Sequence, residues 1–152
     1  MSAPHYLLDT ALCLHVVREH QPWLLARAEH IRAGDAGLSV LTWGALQYAA
    51  AAGPRRLAAL PLIETLAERL PILSLPPEAA TAYRELRCRF AAGRTGAPGH
   101  TAAAREHDLW LMAHARASGL ELITHDARRF PPLAGVRLLH WGPGATTTPR
   151  VM

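Results

Sequence analysis

Short apolar runs separated by longer stretches of helical periodicity constrain this chain more than any other feature. Tyr6 to Leu8, Leu38 to Leu41, Pro71 to Leu75, Leu120 to Thr124 and Val136 to His140 are each three to five residues long and largely apolar. Runs that are apolar throughout, without alternation, are the mark of strands buried on both faces, as in a parallel sheet. Between them the spacing predicts helices over Ala11 to Glu19, from Pro22 through Ile31, from Trp43 to the Gly53-Pro54 break, over Arg55 to Leu70, over Glu78 to Ala92, and up to Ser118. Strands that alternate with helices in this way predict an α/β domain with a mainly parallel sheet of four to five strands.

The punctuation of these elements is local chemistry. Gly34 to Gly37 reads as a turn containing Asp35, Thr42 as a helix cap, Pro61 as a kink, and Pro77 as a first-turn residue. Gly119 is expected to stop the last long helix. Gly93 to His100 carries the least structural signal, and residues 142–152, rich in Gly, Thr and Pro, read as a tail behind a single domain at 1–141. A single domain of 152 residues buries roughly 68–70% of its unfolded surface. Half of the residues are hydrophobic, which supplies a core and argues against disorder.

The formal charge is +4, and apart from histidine every basic residue is Arg. That field favours nucleic acid or an acidic protein partner without identifying either. Two isolated cysteines, Cys13 and Cys88, suit a reducing compartment rather than a disulfide framework. Asp9 and Glu19 interrupt the only stretch resembling a leader, and no apolar run approaches the ~20 residues of a membrane span. A soluble, cytoplasmic protein is expected.

Three of the four aspartates stand where a parallel sheet gathers functional groups. Asp9 ends the first apolar run, Asp126 follows the fourth with His125 between, and Asp108 heads the helical pattern Leu109-Trp110-Leu111-Met112-Ala113. Carboxylates gathered so closely repel one another unless a hard cation such as Mg²⁺ or Mn²⁺ sits among them. Such a set suits the cutting of phosphodiesters.

Three stretches resemble one family. Tyr6-Leu7-Leu8-Asp9-Thr10 resembles the opening strand of PIN-domain ribonucleases, and His107 to Ala115 their second acidic helix. Leu122 to Phe130, with Gly135-Val136-Arg137 and Trp141, resembles their closing strand and loop. The particular likeness is to VapC toxins of bacterial toxin–antitoxin pairs. It implies a three-layer α/β/α domain, Mg²⁺ or Mn²⁺ held by Asp9, Asp108 and Asp126, RNA as substrate, a homodimer, and a cognate antitoxin that blocks the pocket. Thr124 then falls where a small hydroxyl orients a carboxylate or water. His125, Arg128 and Arg129 fall where substrate contacts are expected.

In two places the chain departs from that pattern. Ser39 to Tyr48 matches the stretch that carries a glutamate in the family, and the matching residue is Ala45. No Asp or Glu lies between Gly37 and Pro61, and Gln47 is a feeble ligand. Loss of a positioned general base costs ~10²–10⁴ in rate. Ala45 reads either as a disabling substitution or as a natural loss, and the three retained aspartates favour the former. The segment ahead of Asp108, including Thr101 to Arg105, is also longer than the family's.

Plainer readings accompany each of these. Asp9 suits a helix cap and Asp126 a turn. Nine histidines, among them His100, His107, His114 and His125, lack the ligand grammar of a zinc site. Arg84, Arg87, Arg89, Arg94 and Arg105 read as an RNA track or as a solvated face. Trp43, Leu46, Tyr48 and Trp110 are expected in the core or at a dimer contact. A receiver-like phosphorylation domain would need a Lys, which this chain lacks, and a non-catalytic module that binds RNA or antitoxin remains the main alternative to a nuclease.

Overall fold

The computed structural model describes residues 3–19, 27, 31–32, 34–52, 56–93, 102–130 and 135–142. Its strands are β1 (Tyr6–Leu8), β2 (Ala36–Ser39), β3 (Ile72–Leu73), β4 (Glu121–Thr124) and β5 (Arg137–His140). The helices are α1 (Thr10–Glu19), α2 (Val40–Ala52), α3 (Arg56–Arg69), α4 (Glu78–Gly93) and α5 (Ala102–Ala117). The strands form one sheet in the order β3-β2-β1-β4-β5, every neighbouring pair parallel. The expected α/β/α layering around a parallel sheet is the observed one.

Alternate residues of each strand leave the sheet on opposite faces, as the twofold strand period requires. Tyr6, Leu8, Leu38 and Ile123 join Leu12 and Val17 of α1, Leu46 and Ala50 of α2 and Ile63 of α3 in one core. Leu7 and Leu122 join Leu86 of α4 and Leu109, Leu111 and Met112 of α5 in the other. Both central strands therefore need apolar residues at consecutive positions, the sequence signal from which a parallel sheet was predicted.

β3 is shorter than expected, Ile72–Leu73 instead of Pro71 to Leu75, and both boundaries of β2 differ from expectation. β2 begins at Ala36, inside the predicted turn, and ends at Ser39, so Val40 and Leu41 belong to α2 rather than to the strand. The cap of α2 is consequently Ser39, whose Oγ accepts from the Leu41 N–H at 3.2 Å, and Thr42 lies buried within the helix. A Ser three residues ahead of Thr satisfies the same free N–H groups, and the local signal does not rank the two. Gly37 is used for close approach: a Cβ there would meet Leu73 Cδ1 at 2.7 Å, between β2 and β3.

Pro61 stands inside α3, which continues through it. Gly119 ends α5 with φ +66°, and the Leu120 and Gly119 N–H groups donate to the carbonyls of Ala115 and Arg116 at 2.8 and 3.2 Å. That paired closure needs a left-handed residue, which explains glycine at this position. Most of the Pro22–Ile31 helix and of the Gly93–His100 segment, and the tail beyond Gly142, fall outside the described residues.

Candidate active site

The strand order places the site. The chain steps outward from β1 through β2 to β3, then returns to build β4 and β5 on the other side of β1. Where the order reverses, between β1 and β4, the loops at the carboxyl ends part and leave a crevice. Asp9 follows β1 and Thr124 ends β4, in adjacent strands whose register pairs Leu8 with Ile123.

Asp9 is fully buried. Its Oδ2 accepts from Thr124 Oγ1 at 2.9 Å and its Oδ1 from the Ala11 N–H at 3.3 Å. Burial raises its pKa, while the positive charge of Arg129 and the Thr124 hydrogen bond pull it down. The Ala11 contact is the helix-cap role expected of Asp9. Thr124 Oγ1 also accepts from the Asp126 N–H at 3.1 Å, so a single hydroxyl joins the ends of β1 and β4 to the loop beyond.

Asp108, at 4% exposure, comes in from α5. Arg129 Nη2 lies 3.2 Å from each of its carboxylate oxygens. Asp126 behaves differently. Its Oδ1 accepts from the Arg128 backbone N–H at 3.3 Å and from Arg128 Nε at 3.0 Å, forming the cap of a 3₁₀ turn at Ala127–Arg129. The Arg128 hydrogen bond holds the Asp126 carboxyl below its ordinary pKa. The two consecutive arginines therefore part: Arg128 is 90% exposed, whereas Arg129 is 19% exposed and turned inward.

Sequence reasoning missed a second tier of polar contacts. Thr10 Oγ1 shares hydrogen bonds of 2.7 Å with Thr42 Oγ1 of α2 and with His107 Nε2 of α5. His114 Nδ1 and Ser39 Oγ are 2.8 Å apart. These bonds tie α1, α2 and α5 together around the acids, and burial lowers the pKa of both histidines. Thr42, His107 and His114 were named from the sequence for other reasons; only tertiary contact joins them to Thr10 and Ser39. Ala45, half-buried, lies three residues after Thr42 on α2 and so on the same side of the helix.

His125 stacks on His15 of α1 with ring centroids 4.9 Å apart, and its carbonyl shares a 3.0 Å contact with His140 Nε2. A cavity of about 540 Å³ opens beside them, lined by His125, Asp126, Ala127, Arg128 and His140. Of the predicted basic track, Arg87 is paired with Glu106 and hydrogen-bonded to Tyr83, whose ring stacks on Trp110; Arg84 and Arg89 are exposed. Leu46 is in the core, Trp43 and Trp110 are half-buried, and Tyr48 is 73% exposed, outside the core altogether. Both cysteines are free thiols, with Cys13 buried and Cys88 exposed.

The carboxylate, hydroxyl and carbonyl oxygens here are the donor chemistry a hard cation takes. Their arrangement does not fit one. Asp108 faces a guanidinium, Asp126 is folded onto Arg128, position 45 has no ligand, and among the described residues no group of three His, Cys, Asp or Glu is placed to hold a metal ion.

The PIN domain model matches residues 6–135. Ribonuclease VapC2 of Haemophilus influenzae is 26% identical over 137 residues, which cover 90% of this chain and 97% of that protein. The tRNA(fMet)-specific endonuclease VapC of Shigella flexneri is also 26% identical, over 136 residues, with the same coverage. Among solved structures, VapBC2 from Rickettsia felis bound to a promoter DNA fragment superposes with a TM-score of 0.76 at 20% identity, over 90% of this chain and 98% of that one. DNA-bound VapBC from Salmonella typhimurium reaches the same TM-score at 22% identity, over 91% and 98%.

Proposed function

Because the chain belongs to the PIN-domain family, we propose that it is a ribonuclease toxin of the VapC type, cytoplasmic, with RNA as substrate and a cognate antitoxin as partner. The observation that carries this reading is the buried Asp9–Thr124 contact at the reversal point of the sheet, with Asp108 of α5 paired to the inward-turned Arg129. Names of the similar proteins support it: a VapC2 ribonuclease and a VapC endonuclease match nearly end to end, and the superposing structures are VapBC assemblies. Exposed Tyr48 on α2, with Leu60 on α3 and Ile72 on β3, supports a protein partner, whether antitoxin or a second copy in a homodimer.

The chain's own residues supply binding and orientation. Thr124 holds the Asp9 carboxylate in one rotamer and the Asp126 loop in place, and Arg128 presents an exposed guanidinium to a phosphate at the mouth of the pocket. Ala45 cannot take a proton from an attacking water. In this proposal Mg²⁺ or Mn²⁺ is the cofactor of the intact site, and cutting is impaired in this chain by Ala45.

A second reading is favoured by the same residue and by the paired state of Asp108: a PIN module that binds RNA or antitoxin without cleaving. Cleavage of RNA in Mg²⁺ or Mn²⁺ decides between the two. Ala45→Glu is expected to raise the rate by ~10²–10⁴, and Ala45→Glu/Asp9→Ala to abolish the gain. An inert, folded Ala45→Glu protein that still binds RNA removes the nuclease reading and leaves the binding module.

A further inference from the structure

Asp126, two residues beyond β4, has one carboxylate oxygen engaged and the other unused. Its Oδ1 accepts both the backbone N–H and the Nε–H of Arg128, whereas its Oδ2 accepts from no group among the described residues. The Arg128 bond holds the carboxyl below its ordinary pKa, so at neutral pH Oδ2 is an acceptor only. The side chain is 29% exposed and lines the cavity of about 540 Å³ together with His125, Ala127, Arg128 and His140. That volume lies within the ~300–1,000 Å³ usual for small-ligand sites. The charges of Asp126 and Arg128 offset one another, and burial disfavours the charged form of His125. A flat, neutral group with hydrogen-bonding edges suits such a lining better than an isolated anion.

Both histidines of the lining are held in place. His125 stacks on His15 with centroids 4.9 Å apart and ring planes 12° apart, and its buried Nδ1 has no hydrogen-bond partner among the described residues. His140 Nε2 lies 3.0 Å from the His125 carbonyl, which can only accept, so that nitrogen carries the hydrogen. Gly142 closes on the same ring, since a Cβ there would meet His140 Cε1 at 2.7 Å. Single-stranded RNA is read by rings on which its bases lie and by polar groups that bond the base edges.

We infer that this cavity takes one base of the RNA substrate proposed above and prefers guanine, with Asp126 as the group that selects it. Guanine alone sets two N–H donors side by side, N1–H and the N2 amino group. In adenine, cytosine and uracil the donor has a ring or carbonyl acceptor next to it, which an ionised carboxylate repels. The phosphate of the same nucleotide stays at the mouth, on the Arg128 Nη groups that the Nε bond to Asp126 leaves unused among the described residues. The inference rests on RNA as substrate, and base binding is measured apart from cleavage.

GMP, AMP, CMP and UMP are titrated calorimetrically into the full chain, Asp126→Asn and Arg128→Gln. GMP is expected to bind the parent at least ~5-fold more tightly than each of the others, the low end of what one good base contact discriminates. IMP, which lacks only the N2 amino group, should bind more weakly than GMP. Asn still suits the turn at position 126, so Asp126→Asn should fold and lose the preference for GMP. Arg128→Gln should weaken all four nucleotides alike and keep their order. Equal binding of the four, no binding of GMP, or IMP binding as well as GMP overturns the inference, as does a GMP preference that survives Asp126→Asn. If Asp126→Asn does not fold, the GMP and IMP comparison on the parent decides. A GMP preference in a chain that leaves RNA uncut, even with Ala45→Glu, keeps this inference and removes the nuclease reading. Cleavage restored by Ala45→Glu without a GMP preference removes this inference alone.

Discussion

Thr124 donates its hydroxyl to Asp9 Oδ2 at 2.9 Å and, through the same oxygen, accepts the Asp126 N–H at 3.1 Å. One side chain at the end of β4 thereby holds both a buried carboxylate of β1 and the first turn of the following loop. Arg129, which begins three residues after Asp126, reaches Asp108 from that loop. The geometry of the whole crevice depends on where β4 hands the chain over.

Thr124→Val keeps the shape and removes both hydrogen bonds. Leaving buried partners unsatisfied costs ~1–3 kcal/mol, so the urea midpoint should fall accordingly, whereas Thr124→Ser, which keeps the hydroxyl, should lose less. An unfolding curve for Thr124→Val that overlays the parent's would show that the hydroxyl bridge contributes nothing.

Stability should fall on mild acidification. His107, His114 and His125 all have pKa values lowered from 6.5, with burial the leading cause. A histidine whose folded pKa is depressed contributes stability that is present above 6.5 and is lost as the pH falls through the folded value, because the unfolded chain binds the proton first. Asp9 acts oppositely in the carboxylate range: its raised pKa makes the folded state hold a proton more tightly as the pH drops toward 3.8. Urea midpoints measured from neutral pH down to about 5 should decline, and His114→Gln, which removes one of the three sites, should flatten the decline. A profile unchanged by His114→Gln would assign the pH dependence elsewhere.

Leu122, fully buried on β4, packs against α5 in the second core. Leu122→Ala removes its contacts where the sheet cannot collapse around the gap, and ~2–5 kcal/mol of stability should go with it. By contrast, Arg128→Ala on the exposed Asp126 pair should leave the midpoint almost unchanged. Chemical denaturation of both variants measures the difference, and equal losses would contradict the burial assigned to them.

The linear chain determined the class of fold and offered the candidate residues of the site. Apolar runs three to five residues long, set between helical periods, admit an all-parallel sheet because both strand faces must be covered, and Asp9, Thr124 and Asp126 stand out because they fall at or just beyond strand ends. Ala45 stood out only against the pattern of the family that Ser39 to Tyr48 resembles, which implies a glutamate there. Local capping chemistry was less discriminating, since Ser39 and Thr42 both suit the start of α2 and only the register of β2 against β1 chose Ser39. What the two consecutive arginines do was decided in three dimensions alone. Arg128 and Arg129 are indistinguishable in the chain, but the 3₁₀ turn that Asp126 caps sends one to solvent and the other to Asp108. The Thr10–Thr42–His107 contacts likewise join residues up to 97 positions apart. Periodicity and composition report what each residue type can bury or bond; which partner it meets is set by how the sheet and the helices on its two faces pack.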